Sequence, residues 1–369
     1  MNITLKDGSV KEFESGLSVY EIAKQISEGL ARAAVGGKIN GKVVEMRSIV
    51  NEDCNLEILT FADDEGKLIY RHTAAHILAQ AIKNVFPTVK LAIGPAIATG
   101  FYYDFDFKTP ISTEEFVKIE QEMKSIIKAN YPITRFTLPK DEAVKLMASY
   151  GEDYKVELIN DLPEGVEISF YKQGDFVDLC AGPHLPFTGM VKAFKLTSLT
   201  GAYWRGNEKN KMLSRIYGTA FDKKADLQAY LDAIEEAKKR DHNKLGREMG
   251  IFMTDENIGQ GLPLLMPKGA KLFQIMQRFV EDEEERRGYV LTKTPYMAKS
   301  NLYKISGHWD HYKDGMFVMG DEEKDDEVFA LRPMTCPFQY TIYNNGLKSY
   351  RDLPIRYGET STLFRNEAS

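Results

Sequence analysis

Cysteine is scarce in this sequence. Cys54, Cys180 and Cys336 are far apart and odd in number, so no disulfide framework can be read from them, and a reducing, cytoplasmic setting is expected. Long apolar runs are missing as well. No stretch approaches the roughly 18 continuous apolar residues of a membrane span, and the opening MNITLKDGSVKEF lacks the apolar centre of a signal peptide. Nor is there an excess of positive charge. Lys plus Arg total 48 against 54 Asp plus Glu, a net charge of -6, which excludes a protein coated in basic charge for gripping nucleic acid along its length. Any polyanion must be held at a local patch. Internal repeats and low-complexity runs are absent too. What remains is ordinary globular composition, 43% hydrophobic and 28% charged over 369 residues, enough for about two to four domains.

Residues 1–61 read as a small α+β unit. NITLKDGSVKEF alternates about a Lys6-Asp7-Gly8 turn, which predicts a hairpin. Val19, Ile22, Ala23 and Ile26 then follow Ser18 at helical spacing. Strand-like KVVEM and NLEILTF complete a β-grasp pattern. A second unit, 62–223, opens with a helix over 72–85 that Pro87 ends. Thr113 is read as the cap of another helix, whose buried stripe is Phe116, Ile119, Met123 and Ile126. Strands such as GFYYDFDF and EISFYKQ surround these helices. Residues 224–243 form a linker helix carrying Leu227, Leu231 and Ile234. Its basic end, KKRDHNK, suits the helix dipole in solvent, with an RNA contact as the alternative. From 244 to 369 come GLPLLMPKGAKL, the helix LFQIMQRFVEDEEERRGY and the strand VLTKTPYM. RYGETSTLFRNEAS reads as a strand entering a loop, so the sequence is expected to stop inside a domain.

Only six histidines are present. His72 and His76 are four apart, so they lie about 40° apart on one helix face, and about 120° from the stripe of Leu78, Ile82 and Val85. They are aimed beside the buried face. Cys180-Ala181-Gly182-Pro183-His184 adds a CxxxH. Two histidines at i, i+4 with a Cys and a His make four borderline or soft donors, enough for tetrahedral zinc. HTAAH lacks the Glu of HExxH, so a zinc peptidase is excluded for want of its base. A metal-free alternative is ester hydrolysis, in which imidazoles, a thiol and a lysine position a water. The bland alternative is a set of unrelated, satisfied core histidines.

The strings RHTAAHILAQAIK, IGPAIATGFYYDF, DFVDLCAGPH and LTSLTGAYWRGNEKNKMLSRIYGTAF resemble the editing domain of threonyl-tRNA synthetases. The β-grasp unit resembles their TGS domain. LYKISGHWDHYKDGMF, LRPMTCPFQY, LKSYRDLPIRYGE and FRNE resemble the first part of their class II catalytic domain. HxxxH with CxxxH is shared with alanyl-type editing proteins; the SGHW and RPMTCP strings make the threonyl resemblance specific. The implied fold is α+β and multidomain, ending in an incomplete class II antiparallel sheet.

The resemblance implies threonine activation with ATP and Mg2+, transfer to tRNA(Thr), and hydrolysis of mischarged seryl-tRNA(Thr). Two sites are needed because one methyl(ene) discriminates serine from threonine by only about 10–200-fold. In the editing site His72, His76, Cys180 and His184 match the motif. Lys155, Asp178 and Tyr103 fall where the family places substrate-positioning and water-activating groups. Alanyl-type relatives bind zinc at the four-residue set and the threonyl pocket works without it, so a metal-free site is implied. In the catalytic part Cys336 matches the first zinc ligand, the other two belonging downstream of residue 369. Arg365 matches the arginine on the ATP α-phosphate and Glu367 the acceptor of the adenine amino group. The helix 272–287 with Pro295 resembles motif 1, the homodimer interface. Phe338 and Gln339 depart from the Gly and His that many members carry. The stretch as given is expected to hydrolyse but not to activate threonine. A free-standing deacylase and a TGS-type RNA-binding regulator are the rival readings.

Overall fold

The computed structural model describes residues 1–163, 165–259 and 261–366. Two compact units divide the chain, Met1–Glu235 and Glu236–Ser369. In the first, β1 (Asn2–Leu5) turns through Gly8, at φ +82°, into the antiparallel β2 (Val10–Glu12). α1 (Val19–Ile26) opens on a capping box: Ser18 Oγ accepts from Glu21 N–H at 3.2 Å and the Glu21 carboxylate accepts from Ser18 N–H at 2.7 Å. Its Val19, Ile22 and Ala23 are buried with Ile3, Met46, Val50 and Leu56 in a core of their own. α2 (Glu28–Ala33) follows, capped by Ser27. β3 (Ala34–Ile39), β4 (Lys42–Val44) and β5 (Cys54–Thr60) complete a five-stranded sheet in the order β2-β1-β5-β3-β4, with β1 and β5 parallel. This is a β-grasp.

A second core is built around α3 (Asp64–Val85), which begins eight residues earlier than the periodicity predicts. From Ile69 to Ile82 all but His72 are buried. A helix enclosed on most sides has no single apolar stripe to read. β6 (Lys90–Leu91) and β7 (Gly100–Asp106) follow. α4 (Phe116–Ala129) buries the four stripe residues expected of it. The cap before it is Ser112 and not Thr113: a capping box needs Glu or Gln three residues on, which is Glu115 for Ser112 but Phe116 for Thr113. Next come β8 (Ile133–Leu138), α5 (Lys140–Ser149), α6 (Asp153–Asp161), β9 (Ile168–Gln173) and β10 (Phe176–Leu179), then the long pair β11 (Ala193–Tyr203) and β12 (Met212–Phe221). β8-β9-β10 is an antiparallel sheet, and β11-β12-β7-β6 a second one against which α3 packs.

α7 (Lys224–Lys239) buries none of its residues and spans the division between the units. In the second unit α8 (His242–Glu248) precedes α9 (Pro267–Arg286), which starts on a proline at its first turn, five residues before the expected 272. β13 (Met297–Lys299), β14 (Val318–Met319) and β15 (Phe329–Leu331) form an antiparallel sheet ordered β13-β15-β14, followed by α10 (Cys336–Tyr343). Its core is small: Tyr303, Trp309, Met316, Val328, Ala330 and Phe338. Arg332 and Glu359, wholly buried at 3.1 Å, link this sheet to the segment that follows it. All three cysteines are free. No described helix is long and apolar enough to cross a membrane.

Candidate functional site

One turn of α3 sets His72 above His76, and the loop leaving β10 brings Cys180 and His184 against them. The ring centroids of His184 lie 4.2 Å from those of both His72 and His76. Cys180 Sγ is 3.3 Å from His72 Nε2 and 3.3 Å from His184 Nε2. All four donor atoms lie within 4.8 Å of one another. The 3.3 Å edges agree with the roughly 3.3–3.8 Å between donors around a tetrahedral zinc bonded at 2.0–2.3 Å. These four residues can hold a metal ion. Burial lowers the His72 pKa to about 4 and that of His76 to about 3, and depresses His184 as well, so all three are neutral at pH 7. Burial raises the Cys180 thiol to about 12.

Thr73, which sequence reasoning passed over, orients this group. Its hydroxyl donates to Ile69 O at 3.0 Å. Having given its one proton there, it accepts from His184 Nδ1–H at 3.3 Å and from Leu185 N–H at 2.9 Å. The proton is thus held on Nδ1, and the bare Nε2 faces Cys180. Nothing in the sequence singles Thr73 out, because its burial and its partners are set by the tertiary structure.

Behind the imidazoles lies a closed triangle. Lys155 on α6 is 2.7 Å from Asp178 Oδ1 and donates to the Tyr103 hydroxyl at 3.0 Å; that hydroxyl donates to Asp178 Oδ2 at 2.7 Å. All three side chains are buried. His76 Nε2 stands 3.7 Å from Asp178 Oδ2. Burial raises the Asp178 pKa, but Lys155 and His76 outweigh it and hold the carboxylate below its usual range. The β9·β10 register, Tyr171 opposite Asp178, places Asp178 on the inner face. A cavity of about 340 Å³ opens beside His72, lined also by Val43, Ile69, Pro95, Gly182 and Pro183 among others.

Gly182 sits at φ +73°, and a Cβ there would lie 1.9 Å from the Tyr171 hydroxyl. Gly182→Ala is therefore expected to destabilise the chain by about 2–3 kcal/mol through overpacking and left-handed strain. Urea unfolding would check it, and a variant as stable as the parent would refute the contact.

The remaining sequence-predicted residues lie elsewhere. Cys336 starts α10 in the second unit, half-buried. Among the described residues it belongs to no group of donors close enough to hold a metal. Arg365 is an exposed residue of that unit, and Glu367 lies outside the described residues.

Comparison with known proteins places these features in a family. Residues 1–60 match the TGS domain, residues 168–217 the threonyl and alanyl tRNA synthetase second additional domain, and residues 317–369 the class II tRNA synthetase core domain (G, H, P, S and T). Over all 369 residues the chain is 69% identical to a threonine–tRNA ligase of Clostridium perfringens, covering 57% of that protein's length. The chain belongs to the threonyl-tRNA synthetase family. It matches the N-terminal portion of these synthetases and spans little more than half their length. It is also 70% identical to a threonine–tRNA ligase of Clostridium botulinum, covering 57% of it, and 55% identical to that of Acetivibrio thermocellus, covering 58%, again over the whole chain. A solved RNA binding domain of threonyl-tRNA synthetase from Cryptosporidium parvum Iowa II overlaps 35% of this chain and 32% of its own, at 35% identity and a TM-score of 0.33.

Proposed function

We propose that this chain hydrolyses seryl-tRNA(Thr), and that the His72, His76, Cys180 and His184 cluster with the Lys155, Asp178 and Tyr103 triangle is the hydrolytic site. The observation that carries this reading is the convergence of three neutral imidazoles and a thiol in front of a buried, carboxylate-held lysine, with His72 lining a cavity. The seryl ester enters beside His72. A water oxygen attacks its carbonyl carbon while His72, the imidazole lining the cavity, takes the water's proton. Lys155, kept in place by Asp178 and Tyr103, stabilises the negative charge that develops on the carbonyl oxygen. The bond to the ribose oxygen then breaks, His72 returns the proton to that oxygen, and serine and tRNA(Thr) leave. Zinc held by three of these donors, with its fourth position open, would supply a bound water of lowered pKa, but the neutral imidazoles suffice for the proton transfer, and we assign the hydrolysis to the metal-free site.

The family reading extends to activation of threonine with ATP and Mg2+ and its transfer to tRNA(Thr). There Arg365 and Glu367 would meet ATP, Cys336 would supply one ligand to a catalytic zinc, and α9 would pair two copies of the chain. We divide the chain accordingly into a TGS domain (1–61), an editing domain (62–223), a linker helix (224–243) and class II core (244–369). The class II match over 317–369 supports that division.

The test is deacylation of purified seryl- and threonyl-tRNA(Thr), with and without EDTA. Seryl-tRNA(Thr) should be released faster, His72→Ala should lower kcat by about 10²–10⁴-fold, and chelation should leave the rate unchanged. An unreactive seryl ester, or an unaffected His72→Ala, would overturn the hydrolytic reading. A rate lost to EDTA and restored by zinc would overturn the metal-free one.

A further inference from the structure

Residues 45–47 leave the β-grasp and reach the loop that carries His184. Met46 is buried in the β-grasp core and anchors the segment. On one side of it, Glu45 Oε1 accepts from the His184 backbone N–H at 3.4 Å, and its carboxylate lies near the Tyr171 hydroxyl. On the other, Arg47 donates to Pro186 O and to Ile133 O, both at 3.0 Å, and lies over the Phe187 ring at 5.3 Å. The stretch 184–187 is thus gripped at both ends by one anchored tripeptide. Tyr171 in turn stands edge-on to the His184 ring, with centroids 4.5 Å apart, and its hydroxyl fills the space over Gly182. Val43, two residues before Glu45, lines the same cavity as His72.

We propose that Glu45 is a positioning residue of the hydrolytic site: from the β-grasp it holds the His184 amide, and so fixes the CxxxH loop and the His184 ring against His72 and His76. The β-grasp is then a wall of this site and not a detachable adaptor. The inference rests on the hydrolytic reading given above. Without Glu45 the His184 N–H loses its acceptor, and of the hydrogen bonds from residues 45–47 to the loop that of Arg47 to Pro186 O remains.

The experiment uses the whole chain with Glu45→Ala and Glu45→Gln. Glutamine keeps an acceptor for the His184 N–H, so it restores that contact without the charge. Two readouts are taken: steady-state deacylation of seryl-tRNA(Thr), and the rate of Cys180 alkylation by iodoacetamide, with Cys54 and Cys336 as internal references. Glu45→Ala should lower kcat about tenfold with KM nearly unchanged, less than the about 10²-fold that a 1 Å misplacement can cost. It should also speed Cys180 alkylation several-fold, as the loop loosens. Glu45→Gln should return both towards the parent. Unchanged kcat and alkylation in Glu45→Ala, or a Glu45→Gln as impaired as Glu45→Ala, would overturn the proposal. If the unaltered chain releases no serine, the hydrolytic reading fails, and the alkylation rates still decide whether Glu45 holds the loop.

Discussion

Replacing Lys155 with methionine should remove hydrolysis and a large part of the stability of the first unit together. Lys155 and Asp178 meet at 2.7 Å with side chains 4% and 2% exposed. Removing the cation leaves a buried carboxylate with, among the described residues, only the Tyr103 hydroxyl within hydrogen-bond distance and a neutral His76 at 3.7 Å. Breaking one partner out of a buried pair costs about 3–5 kcal/mol, because the other charge stays desolvated. The same ammonium is the group proposed to meet the developing oxyanion, and losing one such donor costs about 10²–10³ in kcat. Urea unfolding and deacylation on the same preparation separate the two effects. The double variant Lys155→Met/Asp178→Leu should regain most of the stability, since no charge is left buried, and none of the activity. A single variant within about 1 kcal/mol of the parent would match an exposed pair and contradict this reading of the triangle.

Acidification should destabilise the chain well above the pH at which carboxylates titrate. Burial holds His72 at about 4 and His76 at about 3, and His184 is depressed in the same way. Unfolded histidine titrates near 6.5. Below that pH the unfolded chain binds protons that the folded one refuses, so stability rises with pH. The stabilisation from neutral burial is complete above about pH 6.5 and is lost as pH falls from there towards 4, at up to about 1.4 kcal/mol per pH unit for each histidine. Asp178, held below its usual range, works in the same direction but below about pH 4. Thermal unfolding between pH 8 and pH 4.5 would show the slope, and His76→Gln should flatten it. A melting temperature level from pH 7 to pH 5 would mean that these histidines take up protons without unfolding. Because the imidazoles stay neutral, kcat should be level from pH 8 to about 5.5.

Local chemistry carried much of this fold in the sequence. The Ser18 and Glu21 box, the Phe116, Ile119, Met123 and Ile126 stripe, and the HxxxH and CxxxH spacings each depend on residues within a few positions of one another. Such patterns are readable because a helix repeats every 3.6 residues and a cap needs its partner three residues on. The cap falls on Ser112 and not Thr113 because Glu115 stands three residues after Ser112, and α3 starts before its apolar spacing predicts because it is buried on most sides.

What the sequence determined by itself is the kind of residue at each place: a β-grasp followed by an α+β unit, a pair of histidines on one helix face, and a second thiol and imidazole pair about a hundred residues away. Only the tertiary structure decided which of them meet. The β9·β10 register turns Asp178 inward to Lys155 and Tyr103, Thr73 chooses the tautomer of His184, and Glu45 reaches it from the β-grasp. Periodicity records which face of an element is buried. It carries no record of which distant element covers that face, and a pKa depends on that covering, through the water it removes and the charges it brings near.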